Sequence, residues 1–232
     1  MSVSNYNVKQ GSESYDIFDW YTIYGATVSV TANVITSPIN NRLCIKVIGS
    51  TTILIPLNKI INFVAVGGGQ SGASNGGRGG GTIYGTLGTS DLLTITIGAG
   101  GADTTITGTN ISITAYAGPN SGLVSGTSVY SSTINLGGAG GTTFPNVGSD
   151  GPFISNLGIY GGGGGGGPDT SGGGAVGPPG GSAGGGSGGN IEGVSGVAGA
   201  PNTGGGGGAN AGFGGGAGGS GVVYLYIWNL NL

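Results

Sequence analysis

The chain has no histidine and a single cysteine, Cys44, among its 232 residues. Without histidine, the usual Ser–His and Cys–His pairs of nucleophilic catalysis cannot be built. One cysteine cannot form a disulfide within the chain. Because Cys44 lies among apolar residues between positions 43 and 48, we expect a buried small hydrophobe rather than a reactive thiol.

Charge is also scarce, at 6% of residues, and all five Lys and Arg residues lie before position 79. A nucleic-acid binder needs clustered cations to displace counterions from phosphates, so we expect no nucleic-acid partner. The acidic residues are dispersed, and the glycine-rich segments contain neither a P-loop lysine nor the context of a dinucleotide site. The sequence therefore predicts a protein that is not an enzyme, with no catalytic residues, metal site or cofactor.

Targeting and membrane signals are missing as well. The first residues lack a basic region followed by an apolar one, and no uncharged apolar stretch reaches the roughly 18 residues that a membrane helix requires. We expect a protein made in a cytoplasm and not inserted in a membrane.

Glycine is what the chain has in excess, with 61 residues. Three of them (Gly11, Gly25 and Gly49) precede residue 61, so glycine makes up roughly a third of the remainder. The runs Gly161–Gly167 and Gly204–Gly208 are not framed by the unbroken Gly-X-Y repeat of collagen. The mean hydropathy of +0.21 also differs from that of a disordered linker.

An extended helix with three residues per turn would give these runs a regular conformation. Its N–H and C=O groups point outward, and neighbouring helices can bond to them when no Cβ separates the backbones. We therefore predict that Gly161–Gly167 lies inside the bundle with neighbours on all sides. Apolar runs and alternating patterns meanwhile predict strands at 61–66, 82–87, 92–97, 111–117 and 222–228. The predicted fold class is mainly β with a polyglycine II helix bundle and very little or no α-helix.

We divide the chain at residue 60. Residues 1–60 are predicted to form an N-terminal β region that serves assembly or attachment, with one strand ending at Ser37–Pro38 and a tight turn at Gly49–Ser50. Residues 17–24 carry both helical and strand patterns, and we favour a strand. Residues 61–232 are predicted to form a glycine-rich domain of strands and a polyglycine II stack.

The order of four segments resembles the glycine-rich domains of phage tail-fibre adhesins and of related proteins of large DNA viruses. These segments are Phe63–Gly69, Gly79–Leu87, Leu93–Gly101 and Gly204–Val223. A similar arrangement occurs in certain receptor tyrosine kinases. The resemblance implies β-strands joined to a polyglycine II bundle and, as in the adhesins, receptor recognition by loops at one end.

The function that follows from this resemblance is a non-enzymatic virion protein, made in a host cell, that acts as a fibre-tip adhesin. Its expected partners are other virion proteins, a second copy of itself, and a host surface glycan or protein. The alternative is a minor capsid, cement or surface structural protein of a virus particle. A third hypothesis is ice binding, which the threonine row Thr104, Thr105, Thr107 and Thr109 suggests.

Aromatic residues in two segments interpreted as irregular loops, 119–132 and 142–160, are the candidate receptor contacts. Aromatic faces stack on sugars or fill partner pockets, and loops on a stiff scaffold commonly carry recognition. The candidates are Tyr130, Phe144, Phe153 and Tyr160. Capping of the glycine stack is the alternative role.

The last strand is predicted to be two-faced, because Val223, Leu225 and Ile227 alternate with aromatic residues. One row should enter the core. The aromatic row should meet the N-terminal region or another subunit, because exposed aromatic patches of that size are unusual on monomers. The interface candidates are Tyr224, Tyr226 and Trp228.

Overall fold

A computed structural model describes most of the chain, and the described residues contain strands and irregular segments but no α-helix. The described residues are 7–10, 13–16, 34–39, 42–55, 60–88, 91–142, 146–154, 159–170, 177–190, 193–209, 212 and 214–228.

The strands, numbered in chain order, are short and separated by glycine, serine and asparagine. They are β1 Asn7–Gln10, β2 Glu13–Asp16, β3 Val34–Ile39, β4 Arg42–Val47, β5 Thr51–Ile55, β6 Ile60–Val66, β7 Thr82–Gly88, β8 Asp91–Thr96, β9 Thr104–Gly108, β10 Ile111–Ala115, β11 Gly122–Ser125, β12 Val129–Asn135, β13 Phe153–Ile154, β14 Ile159–Tyr160 and β15 Val222–Trp228.

Two antiparallel sheets contain most of these strands. The six-stranded sheet has the order β12-β7-β6-β15-β4-β3, and the five-stranded sheet has the order β11-β10-β9-β8-β5. The pairs β1–β2 and β13–β14 form two further small sheets. The mainly β prediction is therefore confirmed.

One hydrophobic core joins the two large sheets, because alternate residues of each strand point to the same side. Phe63, Leu225 and Ile83 from the six-stranded sheet belong to the same buried cluster as Ile95 and Ile113 from the five-stranded sheet. The arrangement is that of a β-sandwich, in which the two inner faces interdigitate.

Several sequence predictions agree with these elements. The strands expected at 61–66, 82–87, 92–97, 111–117 and 222–228 are present to within two residues at each end. Residues 17–24, interpreted as a strand, lie outside the described residues.

Two local predictions for the first sixty residues were wrong. Strand β3 continues through Ser37 and Pro38, which pair with Cys44 and Leu43. Proline is tolerated there because β3 lies at the edge of its sheet, where no further strand needs its missing N–H. The second correction concerns Gly49 and Ser50, which connect two sheets: β4 lies in the six-stranded sheet and β5 in the five-stranded one.

Strands on either side of residue 60 also hydrogen-bond to one another. β4 pairs with β15 along its whole length, from Val47 opposite Val223 to Arg42 opposite Trp228. β5 pairs with β8 in the other sheet. The first sixty residues thus contribute strands to both layers of the sandwich.

Beyond the strands, the glycine segments hydrogen-bond to one another through their backbones; we call them together the glycine stack. Its centre is Gly161–Gly167, all seven residues of which are buried. Six neighbouring stretches exchange backbone hydrogen bonds with it. They are 76–81, 137–141, 146–152, 177–181, 183–190 and 204–209.

These hydrogen bonds recur at every third residue. The amides of Gly138 and Gly141 donate to the carbonyls of Gly162 and Gly165, at 2.8 and 2.9 Å. On another side of the same segment, the Gly163 and Gly166 amides donate to the Ala183 and Gly186 carbonyls, at 3.3 and 2.8 Å. A third neighbour follows the same step, since the amides of Gly206 and Ala209 donate to the carbonyls of Gly163 and Gly166. The segment is thus bonded on several sides at a regular spacing, as we predicted for an enclosed run.

The stack predicts a sharp response to a side chain at its centre. A Cβ on Gly164 would collide with the carbonyl of Ala139 on the neighbouring stretch. Gly164→Val should therefore separate the two stretches, leave backbone groups unpaired and lower the free energy of unfolding by more than about 3 kcal/mol. Denaturant unfolding measures this loss.

The matched control is Ala139→Val, which enlarges an exposed side chain on the stretch that Gly164 contacts. Its unfolding free energy should stay within about 0.5 kcal/mol of the parent value. Equal stability of the Gly164→Val variant and the control would show that the glycine run is not packed.

Candidate functional site

The outer face of the six-stranded sheet, which points away from the sandwich core, is the first candidate region. In β15, Val223 and Leu225 belong to the core cluster. Tyr226 belongs to a second cluster on the opposite side, with Cys44, Val64 and Ile154. The two-faced pattern predicted for this strand is confirmed for the residues whose side chains are described.

The two aromatic side chains of β15 that the structure describes, Tyr224 and Tyr226, meet other parts of the same chain. Tyr226 is only 2% exposed and lies opposite Cys44, so it contacts the N-terminal region as one of the two predicted alternatives requires. Cys44 is buried, as predicted. Tyr224 is half-buried, and the side chain of Trp228 lies outside the described residues. An interface with another subunit through these residues stays a prediction.

Tyr224 has a distinct electrostatic environment. Burial raises the pKa of its phenol above the ordinary value, and the nearby Cys44 raises the pKa further. The Lys46 ammonium lies 5.6 Å from the centre of the Tyr224 ring, within reach of a cation–π interaction. The neutral phenol is thus the form that the folded chain favours.

A polar groove lies on the same outer face, across β6, β7 and β12, and we call it the sheet groove. Its volume is ≈ 150 Å³. Asn62 on β6 faces Thr86 on β7, which in turn faces Ser131 on β12, so the three residues form one row across the strands. In the next row, Thr133 faces Tyr84. The groove is lined by Asn62, Phe63, Tyr84, Gly85, Thr86, Ser131, Ser132 and Thr133.

The floor of the sheet groove has groups that can donate and accept hydrogen bonds. The Thr86 hydroxyl donates to Asn62 Oδ1 at 3.0 Å. No described residue accepts a hydrogen bond from the Asn62 amide nitrogen. None of the residues that line the groove is charged. The groove can therefore bind a neutral polar group.

Tyr130 lies beside this groove. The strand pairing between β12 and β7 shifts register between Val129 and Ser131, a β-bulge that leaves Tyr130 without a facing residue. Its ring covers Gly88, where an added Cβ would collide with the phenol. Gly88 lies on the same face of β7 as Thr86 and Tyr84, because side chains alternate along a strand. Tyr130 is nevertheless 66% exposed.

The loop interpretation was wrong for Tyr130, Phe153 and Tyr160, which lie in strands. Segment 119–132 contains β11 and the start of β12, which includes Tyr130. Segment 142–160 contains the paired strands β13 and β14, in which Phe153 faces Tyr160. Three consecutive hydroxyl residues, Ser131 to Thr133, had hidden β12, since its apolar residues are too few to show a strand period.

The structure does not bring the candidates to one place. Phe153 is 54% exposed and precedes Ile154, which packs on the outer face of the sheet. Next to it in space, the Gly161 amide donates to the Pro152 carbonyl, and Gly161 lies beside Thr82 at the start of β7. Tyr130 covers Gly88 at the other end of that strand. Phe144 and the side chain of Tyr160 lie outside the described residues.

The outer face of the five-stranded sheet has a second polar surface, which we call the hydroxyl face. Thr94, Thr107 and Ser112 face one another across β8, β9 and β10 and are all exposed. In the next row, Thr96 is exposed and faces Thr105, which in turn faces Thr114; Thr105 and Thr114 are half-buried. These six residues form two rows of three.

The predicted threonine row divides between two faces. Thr104 is fully buried, and its hydroxyl accepts a hydrogen bond from the Gly98 amide at 3.1 Å. Thr105 and Thr107 belong to the hydroxyl face, whereas Thr109 lies in the turn after β9. Strand alternation explains this division, because adjacent residues point to opposite faces.

Sequence reasoning missed the residues that form the sheet groove. Asn62, Tyr84 and Thr86 occur in strands that the apolar pattern had already assigned, and each interrupts that pattern with a polar group. The sequence did contain a signal for the groove. Each of two consecutive strands has a polar residue at an outward-facing position, and such residues can become neighbours when the strands pair.

Three further findings complete the description. In the described part of the chain, no three His, Cys, Asp or Glu side chains come together as metal ligands would. That part also contains no helix of the length and hydropathy needed to cross a membrane. Comparison with protein-family models and with curated proteins gives no match.

The raised pKa of Tyr224 predicts a dependence of stability on alkaline pH. The folded chain retains the Tyr224 proton at pH values where the unfolded chain, with a phenol pKa of about 10, has lost it. The contribution of Tyr224 to stability is complete at pH values below the phenol pKa of the unfolded chain. It is lost as the pH rises through the higher phenol pKa of the folded chain. The unfolding free energy of the parent should fall more steeply above about pH 10 than that of Tyr224→Phe. Parallel curves for the two proteins would show that Tyr224 contributes nothing to this slope.

Proposed function

We propose that the chain is a non-enzymatic fibre-tip adhesin of a virus particle, whose glycine stack is a polyglycine II bundle. The three-residue recurrence of hydrogen bonds around Gly161–Gly167 supports the bundle, because an extended helix with three residues per turn repeats its orientation at that interval. This recurrence is the observation that carries the proposal. The bundle would be a scaffold without side chains at its centre. It is joined to the β-sandwich, which has a surface for binding.

The connections between the stack and the sandwich support the same function. β6 continues into Gly67–Gly69, and β15 follows Gly221, whose amide donates to the Gly98 carbonyl at 2.9 Å. Residues at the sheet surface are thus fixed to a hydrogen-bonded body. A rigid support lowers the entropy that a recognition site loses on binding.

On this proposal, the adhesin contacts a host surface component through the outer face of the six-stranded sheet and has other virion proteins or a second copy as assembly partners. Exposed aromatic side chains, Tyr130 and Phe153, supply stacking surfaces on that side of the molecule. A minor capsid, cement or surface structural protein is the alternative that the test below separates.

Attachment experiments test the proposal. Antibodies against the chain should label fibre ends on intact particles, and an excess of soluble chain should inhibit attachment of those particles to host cells. A soluble chain with Tyr130→Ala and Phe153→Ala should lose this inhibition while its melting temperature stays within about 2 °C of the parent value, because exposed residues contribute little to the core. Label spread over the particle surface, with no inhibition by the parent chain, would favour the structural alternative.

Ice binding is a second candidate function, and the hydroxyl face is the observation that favours it. Neighbouring strands lie about 4.8 Å apart, and alternate residues along a strand about 6.8 Å apart. In a tetrahedral water lattice with O–H···O distances of about 2.75 Å, second-neighbour oxygens lie about 4.5 Å apart. Because sheets twist, hydroxyl positions can match the spacing of water oxygens in ice only across adjacent strands. The three strands that form the hydroxyl face are adjacent.

Thermal hysteresis measures this second function. The parent chain should depress the freezing point below the melting point of ice, and Thr107→Lys should abolish the effect by placing a hydrated charge in the middle of the face. Thr109→Lys, in the turn beyond the strand, is the matched control and should retain it. A parent chain without thermal hysteresis would rule the function out.

A further inference from the structure

The sheet groove has one aromatic side chain, Tyr84, at the outer-face end of its polar floor, and a second, Tyr130, lies beside the groove. Along β7, Tyr84, Thr86 and Gly88 point to the outer face. Tyr84 is the aromatic residue at one end, and Tyr130 covers Gly88 at the other. The four residue steps from Tyr84 to Gly88 span about 14 Å of strand. Thr86 lies midway, between Asn62 and Ser131 on the neighbouring strands.

We propose that the sheet groove binds a neutral saccharide, with one pyranose ring over Thr86 and the chain continuing toward Tyr84 or Tyr130. The proposal rests on the host-recognition function above and names the ligand chemistry of that function. The volume of ≈ 150 Å³ is about the room taken by five liquid waters, so it suits part of one sugar unit, with the neighbouring units over the open face.

The chemistry of the lining fits the two kinds of surface on a sugar. A pyranose ring has C–H faces that pack on aromatic rings and hydroxyls at its rim that donate and accept hydrogen bonds. Tyr84 and Tyr130 offer aromatic faces. The hydroxyls of Ser131 and Thr133 can both donate and accept, whereas the Thr86 hydroxyl, which donates to Asn62 Oδ1, can accept. The Asn62 amide has a donor that no described residue uses.

The absence of charge in the lining selects a neutral ligand. None of the lining residues is Lys, Arg, Asp or Glu. In the registers of this face, the described cations Lys46 and Arg42 lie on β4, two strands beyond β6, and the Lys46 ammonium lies over the Tyr224 ring. A sialyl, sulfate or phosphate group in the groove would lose hydration without gaining a cation, which is costly.

A peptide is the competing ligand, because β12 is an edge strand and could pair with an added strand. Such pairing would use the backbone edge of β12 rather than the side chains of β6 and β7. The two ligands therefore differ in their dependence on Thr86 and Gly88.

Gly88 offers a selective variant. An added methyl group would collide with the Tyr130 phenol, which is the end of an exposed side chain and can move away. Gly88→Ala should thus displace Tyr130 from its position beside the groove at little cost to stability. Thr86→Val removes the central hydroxyl while keeping the shape of the side chain. Its matched control is Thr107→Val on the other sheet, where the hydroxyl is also exposed and lies within a strand.

The experiment measures binding of the full chain to neutral di- and trisaccharides of glucose, galactose, mannose and N-acetylglucosamine, with sialylated and sulfated forms as the comparison. At least one neutral probe should bind, shifting the NMR signals of the amides of Thr86 and residues 131–133. Gly88→Ala and Thr86→Val should each weaken that binding about tenfold, whereas Thr107→Val should leave it unchanged. Melting curves confirm that each variant is folded.

Three results would overturn the proposal. One is preference for the charged forms; another is neutral-probe binding that Gly88→Ala and Thr86→Val leave unaltered. The third is an absence of saccharide binding by a chain that still inhibits particle attachment, which would reject the saccharide and retain host recognition. If the chain neither binds saccharides nor inhibits attachment, both proposals fail.

Discussion

The absence of a Cβ at the centre of the glycine stack is the constraint on which the rest of the molecule depends. Backbone amides and carbonyls that are buried need partners, and in this region the partners are other backbones rather than side chains. Each such hydrogen bond contributes only about 0.5–1.5 kcal/mol net, while ordering glycine costs more backbone entropy than ordering other residues. The stack is therefore stable only as a cooperative unit with a complete set of neighbours.

The β-sandwich supplies the nonpolar burial that the stack lacks. Phe63, Leu225 and Ile95 bury their side chains between the sheets, while the segments that follow β6 and precede β15 enter the stack directly. The two parts share backbone hydrogen bonds at this junction, such as the one from the Gly81 amide to the Tyr116 carbonyl at 2.9 Å. The outer face of the six-stranded sheet is consequently a fixed surface, and the sheet groove is held by three paired strands.

Local pattern in the sequence was sufficient for elements with an apolar period, such as β6, β8 and β15, and for the enclosed run Gly161–Gly167. It failed for β12, where serine and threonine replace the apolar residues, and at Pro38, where only the position of β3 at a sheet edge makes proline acceptable. The groove could not be predicted because Asn62, Thr86 and Ser131 meet only through strand pairing between distant parts of the chain. Tyr130 was recognised as a candidate contact, but its position over Gly88 follows from a register shift that no local pattern encodes.

Native-state hydrogen exchange across Gly161–Gly167 tests the central claim most directly. If the run is the enclosed centre of the stack, its amides should exchange only through opening of the whole domain, as slowly as those of Phe63 and Leu225 in the core strands. Amides that exchange as fast as those of an unstructured glycine peptide, while the core strands stay protected, would contradict the account.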